Sequence, residues 1–378
     1  MVAGATGQPQ EATTSQPRAR RSYSLTAETW ARLRRDPWAV ISLWILGVIS
    51  VLALAAPLLP LSPPRLVRTE RQFQPPRFWP LFEYGFRPGA DEETSLSGSD
   101  ERPAREAILE EGFGQLGPLS GLLLRIRWSI FGKWCLAPIC GTDKLGRDLF
   151  SRILWGARVS LAVGIVATLV SLVIGVTYGA IAGFAGGRVD RLMMRLVDIL
   201  YSVPFIFVVI FIITIVSAEP VRNVLENRWG LNRIMIFFLV VGAIYWLTMA
   251  RVVRGQVISL RHELFVEAAR ALGASWWRIL FRHILPNLVS VVVVYLTLTI
   301  PRVILFEAFL SFLGLGVEPP DVSWGLLANE GLQAITPLKI YWWLVVFPGL
   351  ALALTLFALN FLGDSLRDAL DPRLKRIR

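Results

Sequence analysis

The side chains that could do chemistry in this chain are few and scattered. The only two cysteines, Cys135 and Cys140, and the only two histidines, His262 and His283, fall in separate parts of the sequence. Their spacing is typical neither of a metal site nor of a nucleophile with its base. None of the four lysines is followed by Ser or Thr, so the chain lacks the phosphate-binding loop of P-loop ATPases. We therefore predict that the chain is not an enzyme and holds neither a metal nor a cofactor.

Composition predicts a membrane protein. Of the 378 residues, 54% are hydrophobic and 18% are charged, which is too apolar for a soluble domain of this length. A spanning helix needs about 20 mainly apolar residues, and the apolar runs do not alternate with polar faces. We predict an all-α, polytopic membrane protein with six transmembrane helices. The six runs are Trp38 to Leu59, Val159 to about Phe184, Leu196 to Ser217, Ile234 to Ala250, Ile284 to about Leu310, and Ile340 to Leu362.

The net charge of +11 is distributed unevenly along the chain. Arginines crowd before the first span, at 188–195, at 251–282 and in the C-terminal tail, whereas residues 307–338 contain no Lys or Arg. Basic residues collect on the cytoplasmic side of a membrane protein, so both termini are expected in the cytoplasm. The charge therefore reports membrane orientation, and nucleic acid is not an expected partner. Three arginines after the third span, on the side expected to be external, are exceptions to this distribution: Arg222, Arg228 and Arg233.

This topology divides the chain into five parts. The parts are a cytoplasmic tail (1–37) with an amphipathic helix from Leu25 to Arg35, the first span (38–59), an extended external segment ending in an interfacial helix (60–157), a five-helix core (158–363) and a second cytoplasmic tail (364–378). Both cysteines fall in the external segment. In an oxidising compartment they form either a disulfide that closes a small loop or two free thiols, and the sequence leaves both open.

Ionisable residues inside spans are candidates for function. Arg302 and Glu307 lie towards the outer end of the fifth span. They either line a pathway or gate, or form a structural pair at the membrane edge. Asp198 lies near the start of the third span, three residues after Arg195, where a local ion pair is expected. So few buried charges disfavour a proton- or ion-coupled carrier.

The segment between the fourth and fifth spans has the pattern of two short helices joined by a bend. Leu264 to Leu272 contains good helix formers, and Gly273 interrupts that helix. A second helix is expected from Ser275 to His283, and Pro286 starts the next span. By itself this pattern is also that of an amphipathic connector with no partner.

The residues of this segment resemble a known family. Glu267-Ala268-Ala269, Gly273 and then Ile284-Leu285-Pro286 resemble the EAA loop of bacterial ATP-binding-cassette importer permeases. More narrowly, the chain resembles the second permease (C-type subunit) of the dipeptide/oligopeptide/nickel group. Further matching stretches are Gly141-Thr142-Asp143, Arg147-Asp148, Ala157-Arg158-x-Ser160-Leu161, Glu307 to Gly316, Pro319-Pro320, Ser323-Trp324-Gly325, Asn360 to Asp364 and Leu366 to Leu374.

The resemblance covers the first span and nearly all of residues 141–378. It implies the fold of a type I ABC importer permease in the bacterial inner membrane. In that family, two permeases pair as a heterodimer and bind two ATPase subunits, which carry ATP-Mg, while an extracytoplasmic solute-binding protein delivers the substrate. The external segment of roughly residues 62–140 is longer than expected for the group.

Residue by residue, the resemblance implies roles in ATPase coupling for the EAA loop, residues 253–285. Glu267 is the charged anchor, Ala268 and Ala269 allow close contact with the ATPase, and Gly273 sets the bend. Di- and oligopeptides are the expected substrates, and nickel, glutathione, opines or antibiotic peptides are the alternatives. A secondary carrier that needs no ATPase, or a membrane scaffold without flux, is the alternative from another class.

Overall fold

The structure, a computed structural model, describes residues 25–77, 79, 82–84, 112–113, 118–132, 134–229 and 233–370. Residues 1–24 and 371–378, which make up most of the two predicted tails, lie outside this range. Residues 85–111 of the external segment also lie outside it. The described helices, numbered in chain order, are α1 (Leu25–Leu33), α2 (Pro37–Ala55), α3 (Pro118–Phe131), α4 (Leu149–Ala185), α5 (Gly187–Ser202), α6 (Phe205–Ser217), α7 (Glu219–Trp229), α8 (Arg233–Leu260), α9 (Leu264–Ala271), α10 (Trp276–Ile279), α11 (Leu285–Phe312), α12 (Trp324–Gln333) and α13 (Trp343–Leu370).

Five described helices are long and apolar enough to cross a membrane: α2, α4, α8, the continuous stretch from α10 to α11, and α13. They confirm the first, second, fourth, fifth and sixth predicted spans. The helix α1 confirms the short helix expected before the first span. Two three-residue strands, β1 (Phe82–Tyr84) and β2 (Trp134–Leu136), pair antiparallel in the external segment and are a small addition to the predicted all-α fold.

The third predicted span is not one straight helix. The helices α5 and α6 meet at an angle of 89°. The helix breaks at Val203, which is extended and precedes Pro204. Proline disfavours a helical conformation in the residue before it, and it has no N–H to donate to a continuing helix. The prediction of a continuous span from Leu196 to Ser217 is therefore wrong. A sixth crossing exists only if this bent pair is counted as one.

The second span is much longer than predicted. The helix α4 has 37 residues, so the expected interfacial helix and the span are one element. Asp148 caps its start by accepting a hydrogen bond from the backbone N–H of Phe150 at 3.0 Å. At the 1.5 Å rise of an α-helix, α4 is about 55 Å long.

The helices α4 and α8 pack with their backbones unusually close. A Cβ added at Gly175 would lie 2.8 Å from the carbonyl oxygen of Trp246, and one at Gly183 would lie 2.8 Å from that of Arg254. Gly179, midway between them, would bring a Cβ closer still to the carbonyl oxygen of Ala250. Only glycine fits at such contacts, and glycines four residues apart provide them in lipid. The glycines of α4 therefore form its packing surface against α8.

The two ends of the bundle carry different structures. At one end, the residues from 264 to 284 fold against the C-terminal ends of α4 and α8. We call residues 264–284 the elbow. At the opposite end, the loop 141–148, the helix α12 and part of the external segment pack on the first turns of α4.

Candidate functional site: the elbow and the opposite ion cluster

The bend of the elbow is a complete helix C-terminal cap. Gly273 has φ +76°, a left-handed conformation that glycine adopts without strain. Its N–H donates to the carbonyl of Arg270 at 2.9 Å, and the Ala274 N–H donates to the carbonyl of Ala269 at 3.0 Å. Ser275 then caps α10 by accepting from the Arg278 N–H at 3.4 Å. The predicted break at Gly273 is confirmed, and its angle is set by specific hydrogen bonds.

The helix α9 presents an inner and an outer face. Val266 and Ala269 are buried against the ends of α4 and α8. Glu267 and Ala268 are exposed, and so are Leu264 (81% exposed) and Leu272 (88% exposed). The four predicted coupling residues therefore do not all lie on the same face of the elbow. Glu267, Ala268 and Gly273 are accessible, whereas Ala269 packs inwards, so its small side chain permits close packing of the elbow on the bundle.

The elbow is attached firmly to the end of α4. Phe184 packs against Trp276, with ring centroids 5.0 Å apart, and the guanidinium of Arg270 lies 5.5 Å from the centre of the Phe184 ring. Arg261 donates to the carbonyl of Gly183 at 3.2 Å. These contacts fix the base of the elbow, while its outer face remains exposed.

Two ion pairs tie α5 to α8 near the elbow. Arg254 binds Asp190 through two hydrogen bonds of 2.5 and 2.7 Å. Arg251 contacts Asp198 at 2.7 Å. The expected local pair between Arg195 and Asp198 is wrong, because Asp198 points to α8, where a guanidinium lies within reach.

Arg302 and Glu307 do not form a pair. Five residues along a helix place them about 140° apart. Glu307 is fully buried and accepts hydrogen bonds from Ser311 at 2.7 Å and Ser160 at 3.3 Å. Arg302 is exposed. The expected structural pair is wrong, and Glu307 instead joins α11 to α4 through serine hydroxyls.

The end opposite the elbow contains a buried cluster of four charges, which we call the ion cluster: Asp143, Arg147, Arg152 and Glu330. Asp143 contacts Arg147 and Arg152 at 2.7 Å each, and Glu330 contacts the same two arginines at 3.3 and 2.5 Å. Two positive and two negative charges are thereby neutralised away from water. The cluster joins the loop 141–148, α4 and α12.

This ion cluster explains the matching stretch at 141–148. Asp143 also accepts from the backbone N–H groups of Leu145 and Arg147, at 2.8 and 2.9 Å, which folds the loop. Gly146 has φ +72°, and a Cβ there would overlap the carbonyl of Arg68 in the external segment. The sequence did not point to Glu330, because its partners lie 178 and 183 residues away.

The two cysteines are buried free thiols in the structure. Cys135 packs with Phe113 and Leu124, whereas Cys140 packs in a different cluster, against Ala53 and Leu149. Burial raises the pKa of the Cys135 thiol. Burial and, secondarily, the negative charge of Asp148 raise the pKa of Cys140 to about 12. The Cys135 sulfur also accepts a hydrogen bond from Arg127 Nη2 at 3.1 Å.

Both thiols are therefore expected to resist alkylation. A raised pKa leaves them protonated at pH 8, and only the thiolate reacts. In native protein at pH 8 we expect no labelling by iodoacetamide, whereas denaturation without reductant should expose two reactive thiols per chain. The variant Gln72→Cys, at an exposed position in the external segment, provides the reactive control. Zero labelling after denaturation, rising to two with reductant, would instead establish the disulfide.

The described chain combines a bundle of membrane-spanning helices with a capped, outward-facing elbow at one end. Residues 175–376 match the model of the family "Binding-protein-dependent transport system inner membrane component". Residues 24–76 match "N-terminal TM domain of oligopeptide transport permease C". The chain belongs to the family of binding-protein-dependent transport system inner-membrane components. It is a membrane permease component and not a catalytic subunit.

Individual relatives agree with this assignment. The chain is 36% identical to the dipeptide transport system permease protein DppC of Bacillus subtilis over 357 residues, covering 94% of this chain and 88% of the relative. It is 47% identical to the oligopeptide transport system permease protein OppC of Haemophilus influenzae over 233 residues, covering 62% and 70%. It is 44% identical to the glutathione transport system permease protein GsiD of Pectobacterium atrosepticum, covering 62% and 72%.

The matches differ in how much of this chain they span. A 32% identical DppC of Lactococcus lactis spans 94% of it, as the Bacillus subtilis relative does, whereas the OppC and GsiD relatives span 62%. That the external segment of roughly residues 62–140 is long for the group stays a prediction.

Proposed function

We propose that this chain is one of two permeases in an ATP-driven importer of di- and oligopeptides. Its partners are a second, different permease, two ATPase subunits that carry ATP-Mg, and an extracytoplasmic solute-binding protein. The observation that carries the proposal is the outer face of the elbow. It is apolar and exposed, although the base beneath it is packed and hydrogen-bonded.

The exposed face of the elbow is shaped for docking. Leu264, Ala268 and Leu272 are separated by four residues each, so they lie on one side of α9. Large apolar side chains on a water-exposed surface mark an interaction site when they cluster. Glu267 borders this side and supplies a charge at its edge. We assign the ATPase contact to Glu267 and Ala268 and the angle of the elbow to Gly273.

Charge supports the cytoplasmic placement of the elbow, which the ATPases require. Arg261, Arg270, Arg278 and Arg282 lie in it or directly beside it. Excess arginine in a short loop favours the cytoplasmic side. The ion cluster and the external segment are then on the outer side, where the solute-binding protein delivers its ligand. Arg302, exposed near that side, remains our proposed pathway residue.

The peptide substrate is proposed from the relatives. Their names specify dipeptide, oligopeptide and glutathione transport, and glutathione is itself a small peptide. The two relatives matched over 94% of this chain are both dipeptide permeases, which favours short peptides over nickel or opines.

Uptake by reconstituted protein tests this proposal. The chain, its second permease, both ATPases and the solute-binding protein are assembled in liposomes, and accumulation of labelled dipeptide, glutathione and Ni²⁺ is measured. We expect dipeptide accumulation that requires hydrolysable ATP. Dipeptide uptake that continues without the ATPases would establish a secondary carrier, and uptake of Ni²⁺ alone would exclude peptides as the substrate class.

Replacing Gly273 by Val tests the bend of the elbow. Left-handed φ costs a non-glycine residue about 1–2 kcal/mol, so we expect ATP-driven uptake to fall by about tenfold while ATP hydrolysis and assembly persist. No atom lies within 4 Å of a Cβ built at Gly273, so crowding does not contribute. The variant Gly273→Asn should retain most uptake, since Asn tolerates this conformation. Equal uptake by Gly273→Val and Gly47→Val, a lipid-facing control, would contradict the assigned role.

A further inference from the structure

A cavity of about 560 Å³ opens at the outer end of the bundle, between α2, α4 and α8. This volume is in the range of sites that bind small molecules. One wall is apolar and consists of Leu54, Ala162, Ile165 and Phe238. Leu54 is 67% exposed and Ile165 is 50% exposed, so the apolar wall is open at the side of the bundle.

The opposite part of the cavity is cationic. Arg158 lines this part of the cavity. On α4 it lies about one helical turn before Ala162 and two turns before Ile165. Its Nη2 donates to the Ser120 hydroxyl at 2.8 Å, and its guanidinium lies 4.8 Å from the centre of the Trp155 ring. These contacts hold the guanidinium in place at the level where the bundle leaves the apolar region.

Arg158 has no carboxylate partner in the described part of the chain. The second arginine of the cavity, Arg65, is already neutralised by Asp321 at 3.2 Å. Among the described residues, the cavity therefore has one positive charge without a counter-ion. A half-buried charge without a counter-ion is unfavourable, and an anion at this position removes the penalty.

We propose that this cavity binds one phospholipid of the outer leaflet that carries an anionic headgroup. The phosphodiester binds Arg158, and an acyl chain lies along Leu54, Ile165 and Phe238. The order of the lining residues matches that of a bilayer, because Trp and Arg side chains lie at headgroup level and aliphatic side chains lie deeper. A free phosphate ion would use the arginine but leave the apolar wall bare, so the lipid is the occupant that fits both parts.

Photo-crosslinking in nanodiscs tests the proposal on the assembled transporter. The probe is a phosphatidylglycerol with a photoactivatable group on one acyl chain, and labelled peptides are identified by mass spectrometry. We expect labelling of α2 and α4 within the cavity. Arg158→Gln should reduce it about tenfold, as expected for one charge-assisted hydrogen bond. A phosphatidylcholine probe, whose headgroup has no net charge, should label less.

Two further variants separate the parts of the site. Ala162→Phe fills the apolar wall, leaves Arg158 in place and should also reduce labelling. This second variant keeps the test decisive if Arg158→Gln fails to assemble. As a control, Arg77→Gln removes an exposed arginine of the external segment that does not line the cavity. This variant should leave labelling unchanged.

Three results would overturn the proposal. Labelling that Arg158→Gln and Ala162→Phe leave unchanged would exclude the cavity as the lipid site. Absence of lipid labelling in a protein that binds inorganic phosphate through Arg158 would show a small-anion site only. Crosslinks from cavity residues to the second permease would show that protein fills this space. None of these results depends on which solute is transported.

Discussion

Leu272→Glu is expected to detach the ATPases from this permease. The side chain is 88% exposed at the end of α9 and lies on the proposed docking face. A charge placed at the centre of an apolar contact typically costs about 2–4 kcal/mol of binding free energy, so affinity for the ATPases should fall at least thirtyfold. Co-purification in detergent measures the loss directly, and peptide uptake should fall with it.

Leu338→Glu is the matched control for this experiment. Leu338 is 94% exposed, but it lies at the end of the bundle opposite the elbow. The same chemical change there should leave ATPase binding intact. If Leu272→Glu retained both ATPases as tightly as Leu338→Glu does, the elbow would not be the docking site.

Asp143→Asn is expected to destabilise the outer end of the permease. It leaves Arg147 and Arg152 sharing the single carboxylate of Glu330, and Arg152 is only 1% exposed. Breaking a buried ion pair from one side costs about 3–5 kcal/mol, because the remaining charge stays buried without compensation. The midpoint of thermal unfolding in detergent should fall clearly, and less protein should reach the membrane.

The exposed pair between Asp198 and Arg251 provides the comparison. Its side chains are 66% and 44% exposed, and such pairs contribute about 0–1 kcal/mol. Asp198→Asn should therefore leave the unfolding midpoint nearly unchanged. Similar midpoints for Asp143→Asn and Asp198→Asn would show that the ion cluster is better solvated than the structure indicates.

What the sequence could predict was local. A long apolar run identifies a span, and a glycine after a helical stretch identifies a bend, since both signals lie within a few neighbouring residues. The bend at Pro204 was missed because the residues on either side remain apolar, and hydropathy carries no directional information. Within the elbow, the helical pattern was clear, but which alanine faces the bundle depends on packing, and Ala269 faces inwards.

The charged contacts were beyond prediction from a single sequence. Glu330 binds arginines nearly half the chain away, and Asp198 prefers a guanidinium on α8 over the arginine three residues before it. Such pairs form where the fold brings side chains together, so spacing along the chain does not report them. The matching stretch at 141–148 marked the region correctly, and only the structure shows that it closes on α12.

The length of α4 has a mechanical consequence. One uninterrupted helix of 37 residues contains both Arg152 of the ion cluster and Phe184 beneath the elbow, and its length exceeds the roughly 30 Å hydrocarbon thickness by a wide margin. A continuous helix resists shortening, and the glycine contacts of α4 hold it close to α8. Under the proposed function, any tilt that ATP closure imposes on the inner end of α4 must therefore displace its outer end as well. The elbow and the ion cluster would then move as the two ends of one lever.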